Sequence, residues 1–352
     1  IGGDIVEYPA SSPLDSRRFQ ELFGTMVQVA SSEIERRSKH KKMNLSPYEQ
    51  FCTMPIIAEE ICHKPVYPKD LKQIAREYLN FIEEAEWQMN TAYGLANHIL
   101  KSTGKQVLAV GGNHDMNLED TILKEMNIHK KSRIINGCKI AGYGGAAARN
   151  GTPLLKGCPP ELTTPFNEYP KGSIIQGVFE QVSEPKQFLE QETPAIALLH
   201  TPLYGLMDTP SQFRGQDIPE AHFGSPGISE YAQTGNTALF LSGHVHDGAC
   251  IAQIKNENNR FSVAINLGCL GKTDVDGGNF AEIELKDNEL KSATIYQILR
   301  GGQNSIISMI ARFNRNDSTV LSTLDEILLP SNLIESNPED KGLRKTRSGI
   351  IY

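Results

Sequence analysis

The residues best equipped for chemistry stand in Gly243-His244-Val245-His246, directly after the apolar run Ala238–Leu241. If this run is a strand, its alternation points the imidazoles of His244 and His246 to the same side. Two same-side imidazoles at the end of a buried strand suit a divalent metal better than a core. Three other stretches match it. Gly112-Asn113-His114-Asp115 follows Gln106–Val110, His200 closes Pro194–Leu199, and Asp4 follows Ile1-Gly2-Gly3. Asp, Asn, His and His-x-His together form a mixed nitrogen and oxygen donor set. Such a set fits Mn, Fe, Zn or Co rather than Ca.

Each of these residues ends a short apolar run, and in open α/β sheets the ligand crevice lies outside the carboxyl ends of the strands. The intervening sequence supplies the remaining elements. Apolar residues from Phe19 to Ile34 recur at helical spacing, and a long 3.6-residue period runs from Leu71 to Leu100. Asp70 and Gln73 suggest a capping box for that helix, and Gly104 its end. Residues 43–69 carry four prolines and read as irregular. Residues 118–126 and 177–189 read as short helices. Asn136-Gly137 predicts a hairpin between 132–135 and 138–141. Strands are expected over 261–266, 280–285 and 291–298, helices over 305–313 and 321–329, and a flexible tail over 331–352. The Pro- and Gly-rich loop 201–230 connects two ligand-bearing strands, so it must pass near the site. It makes Arg214 and His222 candidate substrate contacts.

Composition narrows the class. The chain has 352 residues, a formal net charge of -7 and a hydrophobic content of 39%, ordinary for a globular protein. The charge argues against a broad nucleic-acid footprint. Six scattered cysteines with no C-x-x-C suggest a reduced, cytoplasmic chain. No apolar run approaches the ~20 residues of a membrane span.

Taken in order, G-D at Gly3-Asp4, G-N-H-D at 112–115, the strand-end His200 and G-H-x-H at 243–246 resemble the calcineurin-like metallophosphoesterases. The closing Asn266-Leu267-Gly268 and the glycine turn Gly142–Gly145 are similar to the phosphodiesterase branch, as is Gly224-Ser225. The resemblance implies an α/β fold, a four-layer sandwich of two mixed β-sheets flanked by helices. It covers residues 1–299, with a helical insertion over about 10–104, C-terminal helices over 300–330 and the tail beyond. It implies two divalent transition-metal ions bridged by Asp4. Asn113, His200 and His244 complete one shell, His246 belongs to the other, and His114 is the general acid. The family's opening D-x-H occurs nowhere in the sequence, so a strand carrying it is expected upstream of Ile1.

The protein-phosphatase branch carries G-D-x-x-D-R-G, whereas here Glu7 is followed by Tyr8. No guanidinium stands there to clamp a phosphomonoester dianion. The expectation is therefore a hydrolase of small phosphodiesters. A phosphomonoesterase, a nuclease of the same fold and a non-catalytic scaffold are the alternatives. The insertion is expected to form a cap beside the site or a homo-oligomer contact.

Overall fold

A computed structural model describes residues 21–22, 24–26, 28–29, 32–33, 54–112, 115–146, 170–171, 180–181, 184–210, 222–246, 249–268, 277–301, 304–315, 319–322, 334–335 and 345–346. The chain is of the α/β class, with helices and two principal sheets. The first sheet has six strands: β1 (Lys131–Ile135), β2 (Cys138–Tyr143), β3 (Ile196–Leu199), β4 (Leu239–Ser242), β5 (Cys250–Lys255) and β6 (Phe261–Asn266). Their order is β1-β2-β3-β4-β6-β5. β2, β3, β4 and β6 are mutually parallel, with an antiparallel strand at each edge. β3 is buried along its whole length, as expected of a central parallel strand covered on both faces. The β1–β2 hairpin turns through Asn136 and Gly137, both at positive φ (50° and 78°), the geometry that Asn-Gly adopts most cheaply.

The second sheet is antiparallel throughout, not mixed as expected. It runs β10 (Thr319–Ser322), β9 (Asn304–Asn314), β8 (Glu289–Gly301), β7 (Gly277–Lys286). The helix expected over 305–313 is therefore strand β9, and Leu321-Ser322, the start of the second expected helix, lies in β10. A register shift at Ile295/Tyr296 leaves Ile310 without a residue opposite it. This bulge lets Ile310 and Ala311 both be buried. Two-residue strands Ile334–Glu335 and Lys345–Thr346 pair within the expected tail.

The sheets pack face to face through Ile251, Val263 and Ile265 on one and Ala293, Ile295, Ala311 and Phe313 on the other. The far face of the first sheet carries two helices, α3 (Glu184–Glu192) and α4 (Pro226–Thr234). Leu189, Ile228 and Tyr231 pack there against Ala197, Leu199 and Phe240. Each such side chain contributes about 1.5–3 kcal/mol when fully buried. The helix expected over 177–189 is shorter at its start, because Glu180–Gln181 is strand. The one expected over 118–126 shrinks to a single 3-10 turn at Leu118–Asp120, capped by the Asn117 side chain accepting from Glu119 N.

Residues 54–63, expected to be irregular, form α1 (Met54–His63). Its proline stands in the first turn, where no intrahelical N–H is lost. The long helix α2 spans Lys69–Ser102 and starts after Pro68 without a side-chain cap, so Asp70 and Gln73 form no capping box. Gly104, at φ 63°, closes its far end by donating to Lys101 O. α2 serves two cores. Ala75, Tyr78 and Ile82 pack with Met26, Ile57 and Ile61, while Met89 and Tyr93 pack with Ala109, Leu118 and Leu123. The helical segment thus has its own core, and the C-terminal half of α2 packs on residues 107–126, which lead into β1. No helix among the described residues is long and apolar enough to cross a membrane.

Candidate metal site at the carboxyl edge of the sheet

The four parallel strands end at Tyr143, Leu199, Ser242 and Asn266, side by side. Backbone pairing continues past three of these ends. His200 N donates to Tyr143 O (3.1 Å), Gly243 N donates to His200 O (2.9 Å), and Leu267 N donates to Ser242 O (2.9 Å). His200 is consequently fixed on both sides and is 1% exposed.

His244 is brought to His200 by an unusual backbone. Val245 N donates to Gly243 O (2.8 Å), and the residue between them, His244, has φ 68°. That is a three-residue turn with its central residue in the left-handed region, which costs a bulky side chain of order 1–3 kcal/mol. The result is a half-buried His244 ring meeting the His200 ring edge to face, with centroids 4.8 Å apart. The expected strand alternation does not operate here, because the strand β4 ends at Ser242 and both histidines lie beyond it. Val245 is buried and His246 exposed.

Asn266 braces this turn. It is fully buried, its Nδ2 donates to Met207 O (3.0 Å) and Val245 O (3.4 Å), and its Oδ1 accepts from Gly268 N (2.9 Å). Met207 lies in the loop after His200, so one amide ties that loop to the histidine turn. Gly268 sits at φ 67°, and a Cβ there would lie 2.5 Å from His246 O.

The same loop presents His222. Its Nδ1 is 2.9 Å from Asp208 Oδ1, and its ring packs on Tyr204 with centroids 4.8 Å apart. Asp208 is 2% exposed and also accepts from Gly205 N (2.9 Å) and Gly224 N (3.1 Å). A carboxylate so restrained fixes the imidazole's orientation. The neighbouring Phe223 ring lies 6.3 Å from that of His244, which sets His222 one residue from a contact to the histidine pair. Ser225 caps α4 immediately afterwards by accepting from Ile228 N (3.1 Å).

Asp115 closes the G-N-H-D turn. It is fully buried and accepts from Gly112 N (2.8 Å) and from the Tyr93 hydroxyl (2.9 Å), which in turn accepts from Met116 N (2.9 Å). Tyr93 belongs to α2, so that helix directly supports this turn. Gly111 and Gly144 bring the adjacent backbones together. Gly145 N donates to Gly111 O (2.9 Å), and a Cβ on Gly144 would stand 2.3 Å from that same oxygen. Asp4, Asn113, His114 and Arg214 lie outside the described residues. Among the described residues, no group of three or more His, Cys, Asp or Glu could hold a metal ion. His200 and His244 meet there as a pair, and imidazole nitrogens are the donors that such ions most often take.

His129 also borders this edge, which the sequence gave no reason to expect. Its Nδ1 accepts from Gly144 N (2.8 Å), and its ring meets Tyr143 edge to face at 5.0 Å. Burial, reinforced by Lys130, pushes its pKa down to about 4, while Glu184 pulls weakly the other way. The folded state therefore keeps His129 neutral where an unfolded chain, near 6.5, would protonate it. Stability from this residue is present above about pH 6.5 and is lost as pH falls toward 4, by of order 2–3 kcal/mol. Denaturant unfolding between pH 7 and 4 is expected to show this loss, and His129→Asn, which keeps an acceptor but cannot titrate, to flatten it. Equal pH dependence in both proteins would refute the assignment.

A scan against models of known protein families finds no match, and no curated protein matches the chain.

Proposed function

We propose that the chain is a metal-dependent hydrolase of small phosphodiesters, built on a four-layer sandwich in which the two sheets form the inner layers. The observation that carries this reading is the His200–His244 pair, held at neighbouring parallel strand ends by a strained turn. Strain of this kind persists where the surroundings over-determine it, and it gathers at functional sites. Asp4, Asn113, His200 and His244 would hold one transition-metal ion, and His246 with Asp4 would contact a second. Such ions supply positive charge and a bound hydroxide near neutral pH.

The chain's own residues do the rest. His114 gives a proton to the leaving oxygen, which would otherwise depart as an alkoxide. Asp208 holds His222 in one orientation, ready to hydrogen-bond a phosphoryl oxygen. Asn266 keeps the His222 loop and the histidine turn in fixed relation. A diester carries one negative charge and needs no further cation, whereas a monoester dianion would call on Arg214. The net charge of -7 favours a small substrate over a nucleic acid.

The test compares bis(p-nitrophenyl) phosphate with p-nitrophenyl phosphate on Mn- or Zn-loaded protein. The diester is expected to turn over faster, with its lead unchanged by Arg214→Ala. Faster monoester turnover, lost on Arg214→Ala, would make this a phosphatase. No turnover of either, with metal bound, would favour the scaffold.

A further inference from the structure

Helix α2 buries one face and leaves an apolar stripe on the other. Trp87 is 67% exposed, Leu95 63% and Ile99 54%. At 100° per residue they fall within an arc of about 120°, along roughly 18 Å of helix. The buried side chains of the same stretch, Met89 and Tyr93, point to the opposite side, into the core. Tryptophan is among the residues most enriched at binding hot spots, and this chain has only one. Single exposed apolar residues need no explanation; an aligned set on one helix does.

The charges around the stripe say what covers it. Glu83, Glu84 and Glu86 are exposed at its N-terminal end, and Lys101 is exposed at its C-terminal end. We propose that two copies of the chain pair through α2, antiparallel, about a two-fold axis beside residue 93. In that register Trp87 meets Ile99 of the second copy, and Thr91 meets Leu95. Lys101 then falls beside Glu83 and Glu84 of the second copy. The stripe and its charges are thus self-complementary, as a two-fold interface requires. A parallel pair would set Glu84 against Glu84 and Lys101 against Lys101. Positions 87, 91, 95 and 99 form an i±4 row, and two such rows packed together, at a crossing angle of about −50°, keep the three apolar residues in contact along the stripe. This inference is independent of the catalytic reading.

Sedimentation of the whole chain over a range of concentration is expected to show a monomer–dimer equilibrium. Trp87 emission should shift to the blue along the same curve. Leu95→Asp is expected to raise the dissociation constant about tenfold or more, with the monomer's unfolding midpoint unchanged. A chain with Glu83→Lys and Glu84→Lys, and another with Lys101→Glu, should each self-associate more weakly and pair with one another when mixed. The proposal is overturned by a chain that stays monomeric at high concentration. That holds whether Trp87 is open to a soluble quencher or shielded by another segment of its own chain. A dimer indifferent to Leu95→Asp overturns it equally.

Discussion

A chain carrying His244→Ala is expected to lose tight transition-metal binding and, with it, phosphodiester turnover, each by about 100-fold or more. Residues that only orient metal ligands already cost 10–100-fold when removed, so a ligand should cost at least as much. The methyl group of alanine offers no donor, and His200 alone cannot replace a ring that meets it at 4.8 Å. His244→Gly separates function from folding. Glycine accepts φ 68° without strain, so this variant should bind no metal tightly yet resist denaturant at least as well as the parent. Elemental analysis after gel filtration reads the metal. Undiminished metal content in either variant would remove His244 from the shell. A glycine variant much less stable than the alanine one would show that the turn stores no strain.

The strand ends that assemble this edge were legible because central parallel strands are short continuous apolar runs, and Ile196–Leu199 and Leu239–Ser242 are too short, and too closely bounded by Pro and Gly, to suit helices. Asn136-Gly137 likewise prescribed its hairpin. The way His244 reaches His200 was not legible. Alternation applies only within a strand, and nothing local to Gly243-His244-Val245 announces a left-handed residue. Strand β9 was missed because its apolar residues satisfy both periods, and pairing with β8, a long-range effect, decides between them. α1 was missed because Pro55 was read as a breaker, although a proline in the first turn breaks nothing. His129 stands before two lysines and looks like surface; only the fold buries it beside Gly144. Tyr93 fitted the apolar stripe of α2. A buried tyrosine hydroxyl needs a partner, and that requirement was the one signal that α2 had to meet a polar group.

The second large effect is expected at that partner. Asp115→Ala should lower the stability of the chain by about 2–5 kcal/mol, because Gly112 N and the Tyr93 hydroxyl both lose a charged acceptor in a buried place, at about 1–3 kcal/mol each. That is a large share of the 5–15 kcal/mol typical of a whole domain. Tyr93→Phe should cost less, about 1–3 kcal/mol, since the Gly112 bond to Asp115 survives while Met116 N loses an acceptor and Asp115 Oδ1 a donor. The same turn carries Asn113 and His114 between Gly112 and Asp115 in sequence. Tyr93→Phe should therefore lower kcat more than it raises KM, even though Tyr93 lies on α2, before this turn in the chain, and acts only by supporting it. The two changes are expected not to add. In a Tyr93→Phe background Asp115→Ala should cost less than it does alone, because the hydroxyl that depended on the carboxylate is already gone. Denaturant unfolding of the four proteins in this cycle measures the coupling. Strict additivity would mean that α2 lies against the turn without supporting it.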